Sequence, residues 1–178
     1  MIARLAPLAV VAVAAAAAGC GSESRAKPFA IDEKAGTIGK VALGDSRAGV
    51  VSALGKPGEA GAVGFLPLGE YFEEIGGPPS FPVPNRGEVL RYDHFAALLI
   101  GGRVFAMIAS GNARTTAGPG IGDSLATVKR AFSHPSCTSY ATEDRRDIPS
   151  CSFPVRAGRI SFGNDPVKSI TLVAPRNG

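Results

Sequence analysis

Gly44-Asp-Ser-Arg-Ala-Gly-Val-Val-Ser-Ala-Leu-Gly-Lys-Pro57 lies without a gap on Gly122-Asp-Ser-Leu-Ala-Thr-Val-Lys-Arg-Ala-Phe-Ser-His-Pro135, at an offset of 78 residues. Seven of the 14 positions are identical, and an apolar residue, Leu43 or Ile121, precedes each copy. Each copy reads as a short helix with its own start and stop. Ser46 or Asp45, and Ser124 or Asp123, are placed to accept hydrogen bonds from the free amides of the first turn. Val50 and Leu54 fall four apart, and Leu125, Val128 and Phe132 fall at i, i+3 and i+7, so each copy carries one apolar stripe. Gly55 suits a C-terminal cap, and Pro57 and Pro135 forbid continuation.

Working outward, each helix is followed by a strand hairpin. Leu90–Tyr92 and Phe95–Ile100 lead through Gly101-Gly102, a pair suited to a tight turn, into Arg103–Ala109. In the second copy Arg159–Phe162 leads through Gly163-Asn-Asp-Pro166 into Val167–Val173. A hairpin alone is marginal, and a helix laid over one face supplies the missing cover. The expected fold class is therefore α+β: two tandem units, each a short helix packed on an antiparallel β-hairpin or sheet. The units span 38–110 and 111–178. The first carries a Pro- and Gly-rich insertion at 58–87, and a segment of that length is often functional. Phe65, Leu66, Tyr71, Phe72, Ile75 and Phe81 give the insertion apolar anchors for packing on the body.

The repeat resembles the tandem-repeat fold of β-lactamase inhibitor proteins. It is also similar to the small lipoproteins that assist outer-membrane assembly, which use one such unit. The motif that carries the resemblance is Gly-Asp-Ser opening a helix and Gly-x-Pro closing it, over roughly Ile38 to Val173. The resemblance implies a non-enzymatic binding module. The second copy departs from it with Ser133-His-Pro135, the Pro-rich insertion has no counterpart, and no inhibitory contact residue can be matched.

Met1 to Arg4 form a basic start, and Leu5 to Ala18 is an uncharged apolar run. At 14 residues it is shorter than the roughly 20 that span a bilayer, and has the length of a signal-peptide hydrophobic region. The run ends in Ala17-Ala18-Gly19-Cys20, which resembles the lipobox of bacterial lipoproteins. That resemblance implies a signal peptide, 1–19, cleaved before Cys20. The Cys20 thiol then accepts diacylglycerol, and the new amino terminus an acyl chain such as palmitate; stable anchoring needs about two chains. The expected location is the extracytoplasmic face of the cell membrane. Residues 20–37, polar at first and without period, read as a flexible tether.

Without the signal peptide, 159 of the 178 residues remain, enough for one ordinary domain or two very small ones. The charge of +4 is spread along the chain, which fits an anionic lipid surface and argues against a nucleic-acid partner. In an oxidising compartment Cys137 and Cys151 are expected to pair, closing a loop of about 15 residues. Within that loop Glu143-Asp-Arg-Arg-Asp147 is a mixed charge run. Tyr140, Arg145 and Arg146 are candidate partner-binding residues there, since Tyr and Arg anchor interfaces.

No constellation for chemistry stands out. Asp93-His94 beside a strand suggests a hydrolase only if a serine meets it in space, and no Gly-x-Ser-x-Gly elbow occurs. His134 stands alone at a helix end. Gly118-Pro-Gly-Ile-Gly122 lacks the lysine of a phosphate loop. No metal, cofactor or catalytic set is expected. The expectation is a lipid-anchored, non-catalytic module that binds an envelope protein or wall component. The alternatives are an envelope carrier of a small ligand or lipid, with the insertion closing an apolar cavity, and a hydrolase using His94 with Asp93 and a serine.

Overall fold

The two Gly-Asp-Ser segments do open helices. In the computed structural model, which describes residues 29–62, 87–141 and 147–175, α1 runs Arg47–Leu54 and α2 Leu125–Ala131. Ser46 and Ser124 are the caps: their hydroxyls accept from the amides of Gly49 and Thr127 at 3.1 and 3.2 Å. Asp45 and Asp123 instead turn backwards, accepting from the amides of Ala42 and Gly120 at 2.8 Å each. Gly44 and Gly122 both sit at φ +89°, left-handed backbone that a side chain disfavours. The amides of these glycines donate to the carbonyls of Val104 and Val167 at 2.8 Å, and the Val amides donate back to Asp45 and Asp123. The repeated motif is thus a clasp joining a turn, a helix start and the chain entering a strand, at Val104 in the strand Arg103–Ala109 and at Val167 just ahead of the strand Ser169–Val173.

The expected α+β class is corrected. Among the described residues the two helices have eight and seven residues, against twelve strands in two sheets. The protein is mostly β. The strands are β1 Ala30–Asp32, β2 Thr37–Ile38, β3 Val41–Ala42, β4 Glu59–Ala62, β5 Glu88–Tyr92, β6 Phe95–Ile100, β7 Arg103–Ala109, β8 Arg114–Thr115, β9 Ser136–Ala141, β10 Asp147–Val155, β11 Gly158–Gly163 and β12 Ser169–Val173. Eight of them form one antiparallel sheet in the order β4-β5-β6-β7-β12-β11-β10-β9. Separate helix-on-hairpin units are not what forms. The two halves meet at β7 and β12, which pair from Ala106↔Val173 to Ala109↔Ile170, so no boundary at 110/111 interrupts the hydrogen-bonded sheet.

Three strands of this sheet lack strong sequence signals. β4 is Glu-Ala-Gly-Ala, lies within the expected insertion 58–87, and pairs with β5 from Glu59↔Arg91 to Ala62↔Glu88. β9 is mostly polar, and β10 holds Pro149 and Pro154. Each gains its backbone partners from a neighbour richer in β-formers. The rest of the insertion, 63–86, with its apolar anchors, lies outside the described residues, as do the signal peptide and Cys20.

The small sheet, ordered β3-β2-β1-β8, corrects the tether. The span 20–37 is not free to its end: Ile31 is fully buried and pairs with Ile38 in β2. On its other side β1 runs parallel to β8, Ile31 opposite Thr115. The buried Glu33 accepts from the Thr116 hydroxyl at 2.9 and 3.0 Å.

The core lies between the eight-stranded sheet and the elements covering it. Val50 of α1, and Leu125 and Val128 of α2, join Leu90, Phe95, Met107, Ile160, Phe162, Ile170 and Leu172 in one buried cluster. Phe132, ending α2, packs its ring 5.3 and 5.4 Å from Phe153 and Phe162. The Tyr92 hydroxyl donates to the carbonyl of Gly55 at 3.1 Å, tying the end of α1 to β5. Among the described residues no helix is long and apolar enough to cross a membrane.

Candidate functional site

Among the described residues a cleft of about 580 Å³ opens at one end of the large sheet. Three turns build it. Tyr92 pairs with Phe95, so Asp93-His94 is a two-residue turn between β5 and β6. Ser110-Gly111 follows β7, and Lys168 comes from the turn before β12. His94 holds φ +58°, uncommon for a residue with a side chain. The Ser110 amide donates to the His94 carbonyl at 3.0 Å. The His94 ring lies on Gly111, where an added Cβ would come 2.9 Å from its Cγ. The turn therefore brings Asp93, His94 and Ser110 together, the set that a hydrolase would need.

Ser110 Oγ lies 3.5 Å from His94 Nδ1, and Asp93 Oδ1 lies 3.5 Å from His94 Nε2. A working base stands within roughly 2.6–3.2 Å of its proton, and an acid orients it by a short bond to the other nitrogen. Here both contacts are long. The Asp93 side chain is 92% exposed and that of His94 57%, so water screens the carboxylate from the ring. The cleft offers hydrogen-bonding groups and the Lys168 ammonium to a polar ligand. On its wall Arg91 meets Glu59 at 3.2 Å; at the other end of β5, outside the cleft, Arg47 meets Glu88 at 2.7 Å. The Glu88 hydrogen bond holds the Arg47 guanidinium above its usual pKa. Tyr92, beside the cleft, is raised chiefly by burial, with nearby Arg47 opposing.

Of the other expected site residues, Cys137 and Cys151 form the disulfide, directly opposite one another on β9 and β10 with Cα atoms 4.1 Å apart. Tyr140 lies in β9, opposite Ile148. Arg145 and Arg146 lie outside the described residues. His134 takes φ +57° in the turn after α2. Among the described residues no three potential ligands gather as a metal site.

Sequence reasoning found Asp93 and His94 but not Ser110 or Lys168. Ser110 is 16 residues from His94, and nothing local marks it; the β5–β6–β7 register alone brings it there. Compared with known families, curated proteins and solved structures, the chain matches none. No relative therefore bears on the resemblance drawn from the repeat.

Proposed function

We propose that the chain is a lipoprotein held at the extracytoplasmic face of the cell membrane by acyl chains on Cys20, and that its body is a non-catalytic protein-binding or assembly module. The observation that carries the anchor is the order basic start, apolar run, Ala17-Ala18-Gly19, Cys20. A cystine at Cys137–Cys151 supports it, because disulfides persist in oxidising compartments outside the cytosol. Binding without turnover is favoured by the cleft, whose His94 has only long contacts to an exposed acid and a serine. A broad, stapled sheet is a rigid platform for an envelope protein or wall component, and no cofactor or nucleic acid enters this reading.

Intact mass and membrane fractionation of the expressed chain test the anchor. The wild type is expected to lose residues 1–19, gain the mass of its acyl groups and sediment with membranes. Cys20→Ser should abolish both the added mass and the cleavage. Unchanged processing and sedimentation in that variant would refute the anchor. An esterase and peptidase screen with His94→Ala as control tests the second half: turnover that disappears in the variant would replace binding by catalysis.

A further inference from the structure

The eight-stranded sheet ends in two edges of opposite character. β4 carries Glu59, which pairs with Arg91. β9, Ser136-Cys-Thr-Ser-Tyr-Ala141, has no charge, proline or glycine. Charges and prolines are the usual means by which an edge strand is kept from pairing. The four residues Ser136–Ser139 are exposed. The strand is nevertheless held in extended form by the cystine to β10.

The pairing tells which backbone groups face outward. Cys137 and Cys151 have Cα atoms 4.1 Å apart, the close spacing of a non-hydrogen-bonded antiparallel pair, about 4.5 Å rather than 5.5 Å. Their N–H and C=O groups therefore point away from each other. The alternation makes Ser139 opposite Pro149 a pair of the same kind; consistently, the Pro149 carbonyl is taken on the far side by the Asn164 amide at 2.8 Å. Cys137 and Ser139 thus turn their backbone donors and acceptors outward, and no described group bonds them.

We propose that the β9 edge is a self-association site, where a second copy of this chain adds its own β9 antiparallel across a twofold axis. The outward groups lie on odd-numbered residues, so a symmetric ladder must be centred on a residue. Centring on Ser139 sets Ser139 opposite its copy, and Cys137 opposite Ala141 of the second copy. Every residue brought face to face is uncharged, so no like charges oppose the contact. The contact is isologous, the commonest arrangement of soluble oligomers. It joins two eight-stranded sheets into one of sixteen strands. The staple lowers the ordering that pairing would otherwise require. A second copy is favoured over a foreign strand because the edge is complementary to itself without any charge to select another partner. The inference does not depend on the lipid anchor.

Sedimentation of the full chain in mild detergent tests it. The wild type should show a concentration-dependent dimer, with amide-exchange protection at Cys137 and Ser139 that rises with protein concentration. Ser139→Lys and Ser139→Glu each place like charges on the axis, and each should weaken the dimer by about tenfold or more. An equimolar mixture of the two should restore it. Ser139 is exposed, and unchanged melting would show that both variants fold. A wild-type chain still monomeric on the order of 100 µM, a concentration at which even weak specific pairs form, would overturn the proposal. So would single variants that associate as the wild type does, or binding of a different protein's strand at this edge in place of self-association.

Discussion

Gly-Asp-Ser occurs twice because one clasp is built twice. Glycine supplies the left-handed turn, aspartate holds the turn from behind, and serine caps the helix. A methyl group at Gly44 or Gly122 meets no neighbour within 4 Å, so backbone strain alone opposes it. Gly44→Ala and Gly122→Ala should each destabilise the protein by about 1–2 kcal/mol, and denaturant titration of the double variant should show the two losses nearly adding. Equal and additive losses would mark the repeat as architecture. Elsewhere, Thr116 is the hydroxyl donor to the buried Glu33. Thr116→Val should cost about 1–3 kcal/mol, the penalty for stranding a buried acceptor, readable in the same titration. Tyr92 gives a pH signature. Its folded pKa is raised above 10.0, mainly by burial. The neutral phenol donates to Gly55, so this contribution is complete below the ordinary tyrosine pKa. It is lost as pH rises through the higher folded value. Tyr92→Phe should lower stability at neutral pH by about 0.5–1.5 kcal/mol and flatten the alkaline fall in melting temperature expected of the wild type above pH 10.0.

The helices were legible because caps, apolar spacing and terminators all act within one or two turns. The strands β5, β6, β7, β11 and β12 were legible because their residues are β-formers or apolar and their turns are rich in glycine, asparagine and aspartate. β9 and β10 were not. Serines and prolines in their sequences speak against strands, and the pairing that overrides them runs from Ser136↔Ser152 to Ala141↔Asp147. The cystine sits one pair from the Ser136 end of this ladder, so its role is to hold the polar edge strand on the sheet. Replacing both Cys137 and Cys151 by Ser should cost about 3 kcal/mol by loop entropy. The loss should appear first as faster amide exchange along β9, ahead of the central strands, in hydrogen-exchange mass spectrometry. Loss of protection spread evenly over the sheet would mean that the bridge supports the whole core.

Across the molecule, the joint between β7 and β12 decides the architecture. Each half ends in a strand whose free edge is satisfied only by the other half. The apolar cluster is continuous from Leu90 to Leu172. The protein should therefore unfold in one calorimetric transition, its van't Hoff and calorimetric enthalpies agreeing. Two resolved transitions would instead show halves stable on their own. The same joint explains why the reading of two separate α+β units failed: the sequence period marks the units, while the outer edge of a hairpin carries no mark of what will lie beside it.

What the amino-acid order determines by itself is local. It sets the capped starts of α1 and α2, the apolar strands of each half, the chemistry of the Ala17-Ala18-Gly19-Cys20 segment and the presence of two cysteines able to pair. Each rests on residues within a few positions of one another, where sterics and short-range hydrogen bonds decide. Tertiary structure alone decided that Ser110 lies 3.5 Å from the His94 ring, that β4, β9 and β10 are strands, and that Ile31 anchors the expected tether. Those outcomes arise from backbone partners distant in sequence. A peptide group takes up the extended form when a neighbouring strand satisfies it, whatever its own side chain prefers.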